Sequence, residues 1–271
     1  MAINIHFFRK NSLPKLDYSK VLDYFETMPN FKIFYSEENV ELAYSDVDFS
    51  FSYRYLITKQ SRVHKIYELS PKYSNINFML EMPIMIPSFL AKEILTITQK
   101  VCKVFELEIY HEGLKDVSHF NLVDMLVLFE KTRHHEISEH GLKGKISLDN
   151  EKLNVICKYQ RSVESLKDHY NQAVDVGYCI PIVDEERGIS GISYRWKLGQ
   201  PAVFPPYIDY VFIEDEAEDV ILLRRDDFYR ICHRYFTEIK TFLPDLFVLK
   251  EKQAKSAKKN IRRYKKVAIP M

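Results

Sequence analysis

Apolar and polar residues alternate along most of the first 86 residues, which is the pattern of strands buried on one face. Alternation at Ile3–Phe7, Phe31–Tyr35 and Val40–Tyr44 predicts three short strands. Two longer alternations, Val47–Ile57 and Ile76–Ile86, predict two long strands. The first half of the chain therefore predicts a largely antiparallel sheet.

Between these strands the apolar residues recur every three or four positions, which is the period of an amphipathic helix. Asp17 and Asn121 stand at the N-cap positions of two such segments. A third segment covers Leu90–Val104. This order of elements predicts an α+β sheet of the split βαβ, ferredoxin-like type, with helices on one face.

The second half of the chain predicts shorter and less regular elements of both kinds. They are a helix over Asn150–Tyr170, strands at Val176–Ile182, Ile192–Trp196, Tyr207–Ile213 and Val220–Leu223, and a helix capped by Asp226 or Asp227 that reaches Ile239. Ile192–Trp196 and Tyr207–Ile213 read as a strand pair around Gly199. The sequence thus predicts a second, smaller α+β unit.

The glycines of residues 137–149, Gly141 and Gly144, mark a joint between the halves. We therefore predict an α+β sheet domain over 1–140 and a second α+β domain over 150–248. A basic C-terminal helix or tail follows over 249–271.

Glycine is scarce, which excludes several enzyme classes. The chain has 7 glycines, and residues 1–112 contain none. No GxGxxG, GxxxxGK[ST] or GxSxG motif occurs, so Rossmann, P-loop and nucleophile-elbow chemistry are excluded. No cofactor is predicted.

Cysteine spacing and hydropathy indicate the compartment. Cys102, Cys157, Cys179 and Cys232 are far apart with no CxxC, so we expect four free, buried thiols. The first ten residues do not read as a secretory signal, and no apolar run is long enough to span a membrane. The sequence predicts a cytoplasmic protein without a transmembrane segment.

The net charge of +1 conceals a strong asymmetry. The segment Lys250–Lys266 holds nine basic residues and one acid, Glu251. The rest of the chain holds 30 basic and 37 acidic residues, so it carries about −7 and the segment about +8.

This basic segment supplies the candidate binding residues. Ala254, Ala257, Ile261 and Tyr264 repeat every three or four residues, so a helix here would have one thin apolar seam. Such a helix could bind nucleic acid, an anionic lipid surface or an acidic partner, or the segment could be a disordered terminus that keeps the protein soluble. The candidates are Lys255, Lys258, Lys259, Arg262, Arg263, Lys265 and Lys266.

Asp46 and Asp48 are the leading enzymatic candidates. On one strand, residues two apart point to the same face, and a convergent carboxylate pair suits a divalent cation. The spacing from Phe34-Tyr35-Ser36 to this pair is similar to the nucleotidyltransferase signature, although Tyr35 stands where that family has glycine. That resemblance implies a metal-dependent transferase; a polar strand face is the alternative.

Other motif matches are weaker. The segment His134–His140 holds possible i,i+4 metal pairs but misses HExxH by one residue, and a solvated helix end explains it. Gly141–Gly144 matches the GxxG loop of KH domains, and Glu214–Asp219 is an acidic turn. Glu238-Ile239-Lys240 carries the letters of a nuclease motif, but its spacing predicts a helix. No catalytic or metal-ligating residue is assigned.

These observations predict, first, a non-enzymatic cytoplasmic protein that acts through a protein partner. The alternative is a nucleic-acid-binding accessory protein that uses the basic C-terminal segment. A metal-dependent, nucleotidyltransferase-like enzyme at Asp46 and Asp48 is the third hypothesis.

Overall fold

Helices and strands occur in both halves of the chain, which confirms the predicted α+β class. The computed structural model describes residues 2–140, 148–215, 220–263 and 269, with the backbone alone at Arg263. The chain divides into two units, residues 1–145 and residues 146–271, and each is described by itself.

The first unit contains one large sheet and three helices within its described residues. Its elements are β1 (Ala2–Lys10), α1 (Tyr18–Glu26), β2 (Phe31–Tyr35), β3 (Asn39–Asp46), β4 (Phe51–Thr58), β5 (Tyr73–Pro83), α2 (Ser88–Phe105), β6 (Glu108–Tyr110) and α3 (Leu122–Glu139).

The strands of this sheet lie in the order β2-β3-β4-β5-β1-β6. Every neighbouring pair is antiparallel. β1 lies between β5 and β6, and the β2–β3 hairpin extends the sheet beyond β4. The ferredoxin-like assignment stays a prediction.

Tyr55 of β4 shows where the core of this unit lies. Its ring is 4.8 Å from that of Phe25 on α1, and its hydroxyl lies 2.9 Å from Thr98 Oγ1 on α2. Tyr55 is fully buried. α1 and α2 therefore cover the same face of the sheet.

Both N-caps predicted in this unit are confirmed. The Asp17 carboxylate accepts the backbone N–H of Ser19 at the start of α1. The Asn121 side chain accepts the N–H groups of Val123 and Asp124 at the start of α3. Each cap satisfies helix donors that have no partner within the helix.

The single strand predicted over Val47–Ile57 is wrong. β3 ends at Asp46, β4 begins at Phe51, and the residues between them form a turn in which Ser50 has a φ of 53°. Alternating apolar residues cannot reveal this break, because the turn is set by a side chain that bonds to its own backbone.

The second unit contains two smaller sheets and three helices within its described residues. Its elements are α4 (Asn150–His169), β7 (Cys179–Asp184), β8 (Ile189–Lys197), β9 (Ala202–Phe204), β10 (Tyr210–Glu214), β11 (Val220–Arg224), α5 (Arg225–Cys232), β12 (Thr237–Glu238), β13 (Phe247–Leu249) and α6 (Glu251–Arg263).

The sheets of the second unit have the strand orders β11-β10-β8-β7 and β12-β13-β9. The predicted pairing of the strands around Gly199 is present, as β8 with β10. The two strands run parallel, and the connection between them carries β9 into the other sheet.

One apolar core holds the second unit together. The predicted stripe on α4 is buried, with Tyr159 and Leu166 fully enclosed, and Trp196 lies in the same cluster. Ala254 and Ala257 of α6 also belong to this core and have no exposed surface. The apolar seam of the basic segment is therefore packed against the unit.

The helix predicted to reach Ile239 is too long. α5 ends at Cys232, and Asp226 and Asp227 lie in its first turn rather than at its cap. Ile239 is a core residue of the second unit, and its backbone N–H donates to the carbonyl of Leu246 in a hairpin. The three- and four-residue spacing of the buried positions therefore comes from a helix up to Cys232 and from a hairpin after it.

Candidate nucleic-acid interface

α6 presents a row of cations opposite its buried seam. Lys252, Lys255, Lys259 and Arg262 are three or four residues apart, so they follow one line along the helix. All four are exposed. At 1.5 Å per residue the row extends over about 15 Å. We call these four residues the basic row.

Two members of the basic row lack an acidic partner among the described residues. Among the described residues, neither Lys252 nor Lys259 forms an ion pair, and both side chains are in solvent. An anion can approach these two ammonium groups without displacing any ion pair of the described residues.

Lys255 forms a labile pair within the helix. Its Nζ lies 2.6 Å from Glu251 Oε1, and the hydrogen bond to the lysine lowers the pKa of that carboxyl. Both side chains are exposed, so the pair contributes little to stability. A phosphate can therefore replace Glu251 as the partner of Lys255 at small cost.

Arg262 has a structural partner. Its Nε and Nη2 donate to the two carboxylate oxygens of Asp215, at 3.1 and 2.7 Å. The Asp215 side chain is only 4% exposed, so removing the guanidinium would leave a buried charge. Arg262 anchors α6 to the unit while its own side chain stays half exposed.

The remaining predicted candidates lie elsewhere. Lys258 packs its aliphatic stem against Gly199, where a Cβ would lie 2.8 Å from the lysine Cδ. It is half-buried and off the basic row. The Arg263 side chain, Lys265 and Lys266 lie outside the described residues.

An aromatic flank adjoins α6 that the sequence pattern does not indicate. The hydroxyl of Tyr235 accepts the Asn260 side-chain N–H at 2.9 Å, and the Arg234 guanidinium lies 4.8 Å from the centre of the Tyr235 ring. Both residues belong to a 3-10 turn after α5, which the sequence predicted as helix. The pairing of Tyr235 with α6 is a tertiary contact that no local motif signals.

Asp46 and Asp48 do not share a strand face. Asp46 is buried at the end of β3, and its Oδ1 accepts the backbone N–H groups of Asp48 at 3.1 Å and Phe49 at 3.0 Å. Asp48 lies in the turn that this carboxylate closes. The prediction that both aspartates lie on one strand is therefore wrong, because Asp48 lies beyond the end of β3. The enzymatic hypothesis itself stays a prediction.

The histidine-rich segment ends α3, as the sequence indicated. His134 and His140 are exposed, and each ring lies near the carbonyl of the residue four positions earlier, Glu130 or Glu136. Within the described part of the chain, no group of three or more His, Cys, Asp or Glu side chains is placed to hold a metal ion.

Other sequence motifs have structural explanations or fall outside the described residues. Glu238 ends the short strand β12 rather than lying on a helix, and its carboxylate faces Lys240 at 3.9 Å. Glu214 pairs with Arg195 at 3.2 Å. Residues 141–144 and 216–219, which carry the GxxG match and most of the acidic turn, lie outside the described residues.

The four cysteines are free and buried, as predicted. Burial raises the pKa of Cys102 and Cys179 strongly and that of Cys232 to about 12, so these thiols are protonated at neutral pH. They have the character of core residues rather than of nucleophiles.

The first unit has an open cleft of about 700 Å³. Tyr24 and Phe105 contribute aromatic surface, with ring centroids 5.5 Å apart. The other lining residues include three cations and three acids, Arg9, Lys15, Lys20, Asp17, Asp23 and Glu106. The cleft therefore has no net preference for a ligand of either sign.

No described helix has the length and apolar character that crossing a membrane requires. No protein-family model, curated protein or solved structure matches the chain.

Proposed function

We propose that this chain is a non-enzymatic binding protein that holds nucleic acid on the basic row of α6. The observation that carries the proposal is the row itself, four exposed cations in a line on a helix whose opposite side is locked in a core. A line of cations on a packed helix suits a phosphate backbone because the backbone of the helix is already ordered before binding.

Nucleic acid fits this surface better than other polyanions. Tyr235 and Arg234, beside Asn260, offer an aromatic ring and a planar cation next to the helix. Unpaired bases stack on aromatic and guanidinium groups, which an acidic peptide would not exploit. Single-stranded nucleic acid is therefore the preferred ligand.

An acidic protein surface is the second candidate for the same row. Asp215 already occupies Arg262 with a bidentate carboxylate contact. This contact supports the idea that the helix also accepts carboxylates from a partner protein. We place either activity in the cytoplasm, where the four reduced, buried thiols would be maintained.

The decisive experiment is the salt dependence of binding to a labelled 20-nucleotide single strand, measured by fluorescence anisotropy on the full chain. In the double variant Lys252→Gln/Lys259→Gln we expect affinity to fall. The slope of log K against log salt should decrease by about 1.4, which is 0.7 for each lost phosphate contact.

The matched control removes two exposed cations of the same unit, one on α4 and one in the turn between β7 and β8. Lys158→Gln/Arg187→Gln changes the net charge equally, and both residues are exposed. Its affinity and slope should equal those of the wild type. Equal losses in both double variants would show that only the overall charge matters, which contradicts the proposal.

Polyglutamate separates the two candidate ligands. Competition by polyglutamate as effective as that by unlabelled single strand would assign the row to an acidic protein. No binding of either polymer at low salt would refute both assignments.

A further inference from the structure

β2 is an unprotected edge of the six-stranded sheet. It pairs with β3 on one side, and no other described strand lies beyond it. Its sequence, Phe-Lys-Ile-Phe-Tyr, contains no proline, and its register with β3 has no bulge. Phe34 and Tyr35 are 54% and 68% exposed.

The hydrogen-bond register fixes which backbone groups of β2 face outward. The Ser45 N–H donates to the Asn30 carbonyl, and the Ser36 N–H donates to the Asn39 carbonyl. Residues alternate along an antiparallel pair, so Lys32 and Phe34 also bond to β3. The N–H and C=O groups of Phe31, Ile33 and Tyr35 therefore point away from the sheet.

The other end of this sheet is closed. The outward N–H and C=O of Ile109 in β6 both bond to Ser118, at 2.9 Å each. Edge strands with unused backbone groups invite pairing with another chain, and covering them prevents it. The β6 edge of this sheet is thus covered, whereas the β2 edge has no described strand beyond it.

The four-stranded sheet of the second unit is protected at both edges. At β11, Leu222 accepts the N–H of Ile269. At β7, the residue opposite Pro181 is Ile192, whose N–H and C=O face Asp209 rather than β7. Pro181 consequently turns its nitrogen outward, where it offers no donor to another strand.

The third sheet is also covered on its longer edge. The backbone of Asp175 forms a bridge beside β9, accepting the N–H of Val203. Its other edge, β12, has only two residues. Among the described strands, β2 is therefore the edge of usable length that has no cover, proline or bulge.

We propose that β2 pairs with β2 of a second copy of this chain, antiparallel about a two-fold axis through Ile33. The outward residues Phe31, Ile33 and Tyr35 are placed symmetrically about Ile33, so two antiparallel copies of the strand match each other's donors and acceptors. Ile33 meets Ile33 of the second copy, and Phe31 meets Tyr35 at both ends. All outward N–H and C=O groups of the strand are then used, and the sheet becomes continuous across the dimer.

Side-chain charge selects this register over its neighbours. A shift by one pair in one direction would place Lys32 directly opposite Lys32 of the second copy, which is unfavourable. A shift in the other direction would leave the groups of Phe31 without partners. The register with the two-fold axis through Ile33, which we call the centred register, has neither disadvantage.

In the centred register the side chains complement one another on both faces. Lys32 of one copy lies opposite Phe34 of the other, and Glu41 of β3 lies directly behind that phenylalanine. The cation thus meets an aromatic face with a carboxylate beyond it. On the helix side, Phe31 extends an aromatic cluster with Phe25 and Tyr44.

Cysteine trapping of the full chain tests both the pairing and the register. Paired residues have Cα atoms about 5.5 Å apart, within disulfide reach, so Ile33→Cys should form a covalent dimer under mild oxidation. Lys32→Cys and Phe34→Cys should not form one, since the Cα atoms of the same residue in the two copies would be about 8 Å apart. The native thiols are buried and give little background.

Trapping led by Lys32→Cys or Phe34→Cys would overturn the two-fold axis through Ile33. No trapping in any of the three variants, together with a monomer mass by sedimentation at high micromolar concentration, would overturn the dimer itself. We expect a micromolar dissociation constant, since a five-residue strand pair is small beside a standard interface of about 1,600 Å².

A charge variant tests the same interface without any thiol. Phe34→Lys places two lysines opposite Lys32 residues in each dimer and should raise the dissociation constant about tenfold. Val47→Lys adds the same charge at an 82% exposed turn position and should leave it unchanged. An equal effect of both variants would contradict pairing through β2.

Discussion

Asp209 illustrates how a single side chain organises the second unit. Its Oδ2 accepts the N–H of Ile192 in β8 at 2.7 Å, while its own N–H donates to the Ile192 carbonyl at the same distance. Its Oδ1 bonds to Lys152 of α4. One residue thus ties a helix to the parallel pair β8 and β10.

Gly191 is required by this arrangement. Its φ is 153°, and a Cβ at this position would collide with the Asp209 carboxylate. We expect Gly191→Ala to lower the free energy of unfolding by about 2–3 kcal/mol. Urea titration followed by the fluorescence of Trp196, the single tryptophan and a core residue of this unit, measures the change.

Gly188→Ala is the control for this prediction. Gly188 has a φ of 62°, but nothing lies within 4 Å of the position of a Cβ. Only backbone strain is introduced, at a cost of about 1 kcal/mol. Equal costs at both glycines would show that the contact with Asp209 is unimportant.

His6 makes the first unit sensitive to acid. Burial, with a further contribution from the neighbouring charge of His111, lowers its pKa from 6.5 to about 4. The unfolded chain therefore binds this proton more readily than the folded chain. The stability that the neutral histidine provides is complete above pH 6.5 and is lost as the pH falls towards 4.

At pH 5 the expected loss from this group is about 2 kcal/mol relative to pH 7.5. The groups that act on His6 are His111, Glu112, Arg62 and His64. We expect His6→Gln to reduce the pH dependence by that amount, measured by urea titration with far-ultraviolet circular dichroism. An unchanged pH dependence in the variant would assign the acid sensitivity to other residues.

α6 shows at the scale of an element how one helix combines stability with binding. Ala254, Ala257 and Ile261 are buried on one side, and the basic row is exposed on the other. Removing residues 250–271 would therefore expose the core of the second unit. Point substitutions on the exposed side are the only clean test of binding.

The core role of α6 has its own prediction. Ile261→Ala should lower the free energy of unfolding of the second unit by about 2–4 kcal/mol, because it leaves a cavity beside a fully packed cluster. Lys259→Ala, two residues away and exposed, should change it by less than about 0.5 kcal/mol. Trp196 fluorescence in urea compares them, and similar values would show that α6 is not part of the core.

Helices were predicted correctly where a cap residue or the spacing of apolar residues was sufficient to define them. The helices capped by Asp17 and Asn121 and the buried stripe of α4 follow from residues close together in the chain. It failed at Asp46, where a side chain closes a turn, and at Ile239, where a hairpin supplies the burial. In both cases the spacing of apolar residues predicts one continuous element, but a hydrogen bond that this spacing does not indicate ends the element earlier.

At the scale of the whole molecule, the charge asymmetry takes a specific form. Lys250–Lys266 carries about +8, but its cations have different surroundings. Lys252 and Lys259 face solvent, Arg262 covers Asp215, and Lys258 packs on Gly199. The proposed binding and pairing surfaces lie in different units, so each can be removed without changing the other.

Residue type and local spacing were sufficient to predict the α+β class, two helix caps, the amphipathic period of α4, the four free cysteines and the apolar seam of α6. Each of these depends on residues close along the chain or on residue type alone. Long-range contacts, in contrast, establish which cations form the basic row, that β8 and β10 run parallel, and that β2 is left open. Those properties depend on hydrogen bonds and burial between distant segments, which no local period encodes.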